Sequence, residues 1–438
     1  MLLSAVMLMG LSACGEGKTD EKDPPENDDS SNEQTEEGTL NDLVKNFWQT
    51  ETMYDETVMF IAETDDFGNV ISAPRAKLLF EPKEILSVKQ YFHESNANET
   101  VIFENGTDFT CQDGYLVASG TITDNPITDK KEFAGKIPYV TDKALTGEAP
   151  FPGLSSGTTI PSKEAGLYLP FTEGYQIVQM QLCVTYTHDV DESVELSYFG
   201  DGALSGVLSK LKAKESVELF VYGDSISTGA NSSGYLNIPP YLKTWPELVA
   251  DNLSRYFGTE VNLTNRAVGG WTSANGLSGG NGYVNGQLVY QAGLNSLFSD
   301  ELKDYIPDLV FLGFGMNDAS IGTPDISAYC NNMMSMIDIL RRINPDCEIV
   351  LIGTMLANPM ARDQSKNQTE YTQYLSRVAE RYEGVCVVDV GSIHQSILDA
   401  GKCYTEISSN NVNHPNDFMA RVYAVSLLSA LINTANAE

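Results

Sequence analysis

From about Glu215 to its end the chain alternates short apolar runs with amphipathic stretches, and nothing else in it restricts the fold so tightly. Val217–Tyr222, Val261–Asn265, Leu309–Gly313, Ile349–Gly353 and Val385–Val390 are rich in β-branched and aromatic residues and have strand length. Between them, Thr244-Trp245-Pro246-Glu247 has the form of a capping box with proline in the first turn. Leu248, Val249, Leu253, Tyr256 and Phe257 then share one helical face, and Gly258 ends it. Ile326–Ile343, Glu370–Tyr382 and Asn416–Ile432 also read as helices. Strand–helix alternation predicts a parallel sheet with helices on both faces. Functional residues in such sheets gather at the carboxyl ends of the strands.

The preceding stretch has a different rhythm. Residues 40–213 carry short strand-like runs, among them Thr57–Ala62, Ala76–Phe80 and Gln176–Val184, separated by turn signals such as Asp66-Phe67-Gly68-Asn69. This predicts a β-rich, sandwich-like domain. Thr146–Lys163 is rich in Gly, Pro and Ser and reads as a long loop.

Residues 1–14 open with an apolar run that stops at Cys14, too short to span a bilayer and fitting a signal peptide. Leu11-Ser12-Ala13-Cys14 resembles a bacterial lipobox, in which the cysteine is acylated; no Lys or Arg precedes the run. Residues 15–39 hold ten acidic side chains between Glu16 and Glu37 against Lys18 and Lys22, so they read as an extended, disordered tether. The expectation is a cell-surface or extracellular protein that meets the membrane only through lipidated Cys14. A formal net charge of -33 excludes nucleic acid as a natural partner. Cys111, Cys183, Cys330, Cys347, Cys386 and Cys403 contain no Cys-x-x-Cys pair and no metal-ligand spacing. They read mostly as reduced core thiols.

Four short blocks carry the chemistry. Gly223-Asp224-Ser225 follows the first strand of the alternating region, and Asn265-Arg266-Ala267-Val268-Gly269-Gly270 follows the second. Gly315-Met316-Asn317-Asp318 follows the third, and Asn411-Val412-Asn413-His414-Pro415 lies near the C-terminus. Together and in order, they resemble the four blocks of the SGNH (GDSL) hydrolases, a family of esterases and lipases. The resemblance covers about Glu215 to the end and implies a flavodoxin-like three-layer α/β domain over residues 214–438. It implies Ser225 as nucleophile and His414 as general base. The oxyanion donors would be the Ser225 N–H, the Gly270 N–H and the Asn317 amide. No metal or cofactor is implied. A serine becomes a competent nucleophile only when a base takes its proton, and acyl transfer needs donors where the oxyanion forms.

One position departs from the family. Most members carry Asp three residues before the histidine, where this chain has Asn411. Three readings stay open: Asn411 or a backbone carbonyl orients His414 in a Ser-His dyad, another acid such as Glu406 reaches the site, or the site is impaired. Asp224 reads as structural, while Thr228, Gly229 and Asn231 read as loop-shaping. Asp417 reads as a helix cap, His394 as a surface residue, and His188 as part of a solvated loop. The Gly/Asn-rich stretch from Ser273 to Gly286 has two readings, a mobile substrate lip that carries Tyr283 with Trp271 just before it, or a plain flexible loop.

The resemblance extends to carbohydrate acetylesterases with an N-terminal β domain. The expected activity is therefore removal of acyl groups, acetyl first, from carbohydrate. A lipase or lysophospholipase is the alternative enzyme, and a glycan-binding surface protein with an impaired hydrolase body is the alternative of another class. The sequence sets no oligomeric state.

Overall fold

The computed structural model describes residues 49–433, except 97–98, 156–157, 192–193, 195, 322–324 and 365–366. The leader, Cys14 and the acidic tether therefore lie outside the described residues. Five parallel strands form the central sheet: β1 (Val217–Gly223), β2 (Val261–Asn265), β3 (Leu309–Gly313), β4 (Glu348–Gly353) and β5 (Val385–Asp389). Their order is β2-β1-β3-β4-β5, the flavodoxin-like order, and chain direction across the sheet reverses between β1 and β3.

The two-residue period of a strand divides each one between two cores. Leu219 and Val221 of β1 face one way, with Phe311 of β3 and Val350 of β4. Phe220 and Tyr222 face the other, with Val310, Leu312 and Leu351. The first core is closed by helices α1 (Trp245–Phe257), α4 (Val390–Asp399) and α5 (Asp417–Ser429). The second is closed by α2 (Ile326–Ile343) and α3 (Gln368–Ala379). The capping box at Thr244 and Glu247 forms, and Gly258 ends α1 in the left-handed conformation at φ 64°.

Helix α5 is buried along its length, Arg421 and Ser426 included. A helix apolar on nearly all sides needs cover on both. The central sheet and α1 supply one cover, and the front half of the chain supplies the other. Thr52–Val58 packs on α5 as the edge of an antiparallel sheet that continues through Leu182–His188, Pro82–Gln90 and Val101–Phe103. A second sheet of the front half runs Val140–Thr141, Ile61–Ala62, Arg75–Lys77, Tyr115–Ala118 and Phe109–Gln112. Val58, Phe60 and Tyr186 of the front half share one apolar core with Phe418, Val422 and Leu431, so the described residues form one compact unit.

A buried polar joint reinforces this contact. The Lys402 side chain is fully buried, with Nζ 2.6 Å from Glu56 Oε1 and 3.4 Å from Glu406 Oε1. Nζ also donates to the carbonyls of Thr57 and Lys77. The carboxylates spend their remaining acceptors on the Tyr186 hydroxyl and on the Leu79, Met59 and Cys403 N–H groups. Burial alone would push the ammonium down, but Glu406 and Glu56 hold its pKa above the ordinary lysine value.

Several local expectations change. Gln176–Val184 is not one strand, since Val178–Met180 makes a 3₁₀ turn before the strand begins at Leu182. Ser273–Gly286 is not an open loop: Ser273–Ser278 is helical, and Gly279–Val284 pairs with Gln287–Ala292 in a hairpin. His394 is fully buried, accepts the Leu356 N–H at Nδ1, and is pushed down to about 3 by burial. His188 is also buried, stacked on Phe80 at 4.2 Å between ring centroids. The N-cap of α5 is Asn416, whose side chain accepts the Met419 N–H, while Asp417 accepts the Ser233 N–H. The six cysteines among the described residues are free thiols.

Candidate active site

The nucleophile loop leaves β1 at Gly223 and is stitched to its neighbours at once. Val268 donates to the Gly223 carbonyl and Asp224 to the Gly313 carbonyl, which joins the carboxyl ends of β1, β2 and β3. Past Ser225 the chain turns tightly, with Thr228 Oγ1 and the Ala230 N–H both on the Ser225 carbonyl. The Trp245 indole donates to the Ile226 carbonyl at 2.8 Å, and Asn265 Nδ2 donates to the Ser227 carbonyl. Gly229 has φ 76°, and a Cβ there would meet Thr244 Cγ2 at 2.3 Å, so this turn requires glycine. The result is a fixed Ser225, 8% exposed at the floor of the site.

The histidine loop is fixed just as closely. Asn410 Oδ1 accepts the N–H groups of Val412, Asn413 and His414. Ser408 Oγ donates to the His414 carbonyl. Gln181 of the front half donates to the Thr405 and Ser408 carbonyls. This places His414 Nε2 2.8 Å from Ser225 Oγ. Ser225 and His414, 189 residues apart, are thus brought within hydrogen-bond distance.

The other ring nitrogen corrects the expectation for Asn411. His414 Nδ1 lies 2.5 Å from Asn231 Oδ1 and 3.2 Å from Glu173 Oε2. Asn231 Nδ2 donates to the Glu173 carbonyl at 2.7 Å, and that bond fixes which end of the amide is oxygen. The oxygen therefore faces the ring, His414 carries its proton on Nδ1, and Nε2 presents a lone pair to the serine hydroxyl. Asn231 reaches this place through a left-handed backbone at φ 64°, which asparagine tolerates better than most residues. Asn411 does not orient the ring. Its Nδ2 donates to the Pro170 carbonyl and its Oδ1 accepts from Asn358. Glu406 does not reach the site either, being held in the Lys402 joint.

The expected oxyanion donors lie in the segments that follow β2 and β3. Gly269 exchanges backbone hydrogen bonds with Tyr283, and a Cβ on it would lie 3.8 Å from Ser225 Cβ. The next residue, Gly270, has φ 80°. Asn317 sits in the short helix Met316–Ser320 after β3, 6% exposed. Its Nδ2 donates to the Trp271 carbonyl at 2.9 Å, which orients the amide and leaves a second hydrogen on the same nitrogen. Asp318 accepts the Ser273 N–H and hydroxyl, tying the second block to the third. Asp224 is almost wholly buried beside the nucleophile, and burial pushes its carboxyl up to about 7.

Asn231 and Glu173 are the two site residues that sequence reasoning did not assign. Asn231 follows the nucleophile by six positions and looked like a turn former. Glu173 lies in the front half, where no spacing rule ties it to His414.

A flavodoxin-like sheet with a serine, a backed histidine and an asparagine amide above the switch point defines the SGNH class of hydrolase folds. Residues 221–422 match the model of the GDSL-like lipase/acylhydrolase family. A multidomain esterase from Ruminococcus flavefaciens is 30% identical over 206 residues, covering 43% of this chain and 26% of that protein. The chain thus spans about a quarter of that curated relative's length. Among solved structures, a two-domain esterase active on acetylated mannans is 18% identical with a TM-score of 0.40, over 54% of each chain. An acetylxylan esterase from Geobacillus stearothermophilus is 14% identical with a TM-score of 0.37, over 51% of this chain and 95% of its own.

Proposed function

We propose that this protein is a serine esterase that removes acyl groups, acetyl first, from carbohydrate. The observation that carries the reading is the Ser225 Oγ–His414 Nε2–Asn231 Oδ1 line, with the tautomer fixed by the Glu173 carbonyl. Ser225 Oγ attacks the ester carbonyl while His414 Nε2 takes its proton. The carbonyl oxygen, now negative, accepts from the Ser225 and Gly270 N–H groups and from Asn317 Nδ2. His414 returns the proton to the departing alcohol, and the acyl group stays on Ser225. Water, deprotonated by His414, then attacks the acyl-enzyme and releases the acid. The family match over residues 221–422 and the resemblance to the multidomain esterase support ester hydrolysis.

The carbohydrate part rests on the β-rich front half joined to this body, an arrangement that resembles polysaccharide deacetylases. We also propose export and anchoring through Cys14, supported by the apolar run that Leu11-Ser12-Ala13-Cys14 ends.

The test is acid release from acetylated xylan and from aryl esters of rising chain length, with Ser225→Ala as control. The proposal predicts acetate release that Ser225→Ala abolishes. Rates rising with chain length would favour a lipase, and no hydrolysis of any ester would overturn the reading.

A further inference from the structure

We infer that Glu173, carried by the front half, supplies the negative charge that most SGNH enzymes take from the residue three before the histidine. The inference rests on the Ser225–His414 reading. Glu173 Oε2 is the described carboxylate oxygen that approaches the ring, 3.2 Å from His414 Nδ1, and its side chain is 39% exposed. Asn231 accepts the Nδ1–H, so it fixes the tautomer but brings no charge. When His414 takes the serine proton it becomes an imidazolium, and a carboxylate at this distance favours that form.

The geometry also gives Asn411 a different task. The Met360 N–H donates to Asn358 Oδ1, so Asn358 Nδ2 faces Asn411 and donates to its Oδ1. That leaves Asn411 Nδ2 to donate to the Pro170 carbonyl at 3.0 Å. Pro170 ends the hairpin strand Tyr168–Pro170, and Glu173 follows three residues later. The segment between them is held at both ends by amides of the hydrolase body: Asn411 on the Pro170 carbonyl, and Asn231 on the Glu173 carbonyl. The hairpin is further docked by Lys163 N–H on the Met360 carbonyl and Arg362 N–H on the Pro161 carbonyl. The turn that carries Glu173 is braced internally, with Gly174 N–H on Thr172 Oγ1 and Thr172 Oγ1 on Gln176 Oε1.

A carboxylate at position 411 has no hydrogen to give Pro170. Asparagine there exchanges the family's acceptor for a donor, and the donor fastens the segment that delivers the acid. Asn411 is thus a positioning residue acting through Pro170, and the front half becomes part of the catalytic machinery. Two further ionisable groups among the described residues stand at this corner: Asp224 in the Ser225 turn, on which His414 acts, and Tyr235 after Asn231, on which Glu173 acts.

The experiment compares Glu173→Gln, Glu173→Asp and Asn411→Asp in the full chain, with Ser225→Ala alongside, on an aryl acetate. Glu173→Gln should lower kcat about 10- to 100-fold with KM held, less than the ~10⁴ of a triad Asp→Asn, because Asn231 keeps the tautomer and Glu173 is partly screened. Glu173→Asp should recover part of the rate. Asn411→Asp should lower kcat, whereas a triad that had simply lost its acid would gain rate from it. Wild-type turnover that Ser225→Ala abolishes and Glu173→Gln leaves unchanged would overturn this inference and keep the Ser-His reading. A faster Asn411→Asp would also overturn it.

Discussion

Asp224→Asn isolates the carboxyl next to the nucleophile and gives a pH dependence of defined sign. Asp224 is 1% exposed, and burial pushes its carboxyl up from 3.8 to about 7, against the Ile226 N–H bond and the nearby His414, which pull it down. In the unfolded chain the same carboxyl ionises near its ordinary value. Below that value it is protonated in both states and carries no penalty. As pH rises from 3.8 toward 7 the unfolded chain loses the proton first, so the native state loses stability across this window. The gap corresponds to an upper figure of ~4 kcal/mol, reached above the folded-state pKa. Asparagine keeps an oxygen for the Ile226 N–H and has no proton to lose.

The assay is urea unfolding of wild type and Asp224→Asn at several values between about pH 4 and about pH 8. Asp417, Glu348 and Glu406, whose carboxyls burial also pushes up, are common to both proteins and cancel in the difference. Asp224→Asn should gain on wild type as pH rises and level off near neutrality. A difference that is flat across the window, or that favours wild type at high pH, would refute the reasoning.

Three further outcomes follow from the same geometry. Lys402→Met leaves Glu56 and Glu406 buried without their cation and should cost about 3–5 kcal/mol, read as a lower urea midpoint; an unchanged midpoint would contradict the joint. Asn317→Ala should lower kcat on an aryl acetate by ~10²–10³ with KM near wild type, which saturation kinetics will measure. Asn231→Ala removes the acceptor from His414 Nδ1 and should lower kcat by up to ~10⁴, with near-native circular dichroism; full activity would show that another group sets the tautomer.

The parts of this molecule that were legible in the sequence are those with a local signature. Strand β3 and helix α2 begin and end where their apolar periods do, and the capping box at Thr244 fixes the start of α1. Ser225, Gly270, Asn317 and His414 could be named because each sits in a short block. What failed depended on contacts distant in sequence. His394 looked exposed at a helix start, yet the Leu356 N–H on Nδ1 makes it a core residue. Asn411 had the family's spacing, but spacing does not say whether a side chain accepts from the ring or donates to Pro170. Glu173 is separated from His414 by more than half the chain, and only the packing of the front half on the hydrolase body brings them together.

In the proposed mechanism Ser225, activated by His414, forms a covalent acyl-enzyme. The most direct test is intact mass and peptide mapping after treatment with a fluorophosphonate, which reacts only with an activated serine hydroxyl in an oxyanion site. One adduct on Ser225 is expected, lost in Ser225→Ala and strongly slowed in His414→Ala. An adduct on another residue, or ester hydrolysis that survives in Ser225→Ala, would contradict it.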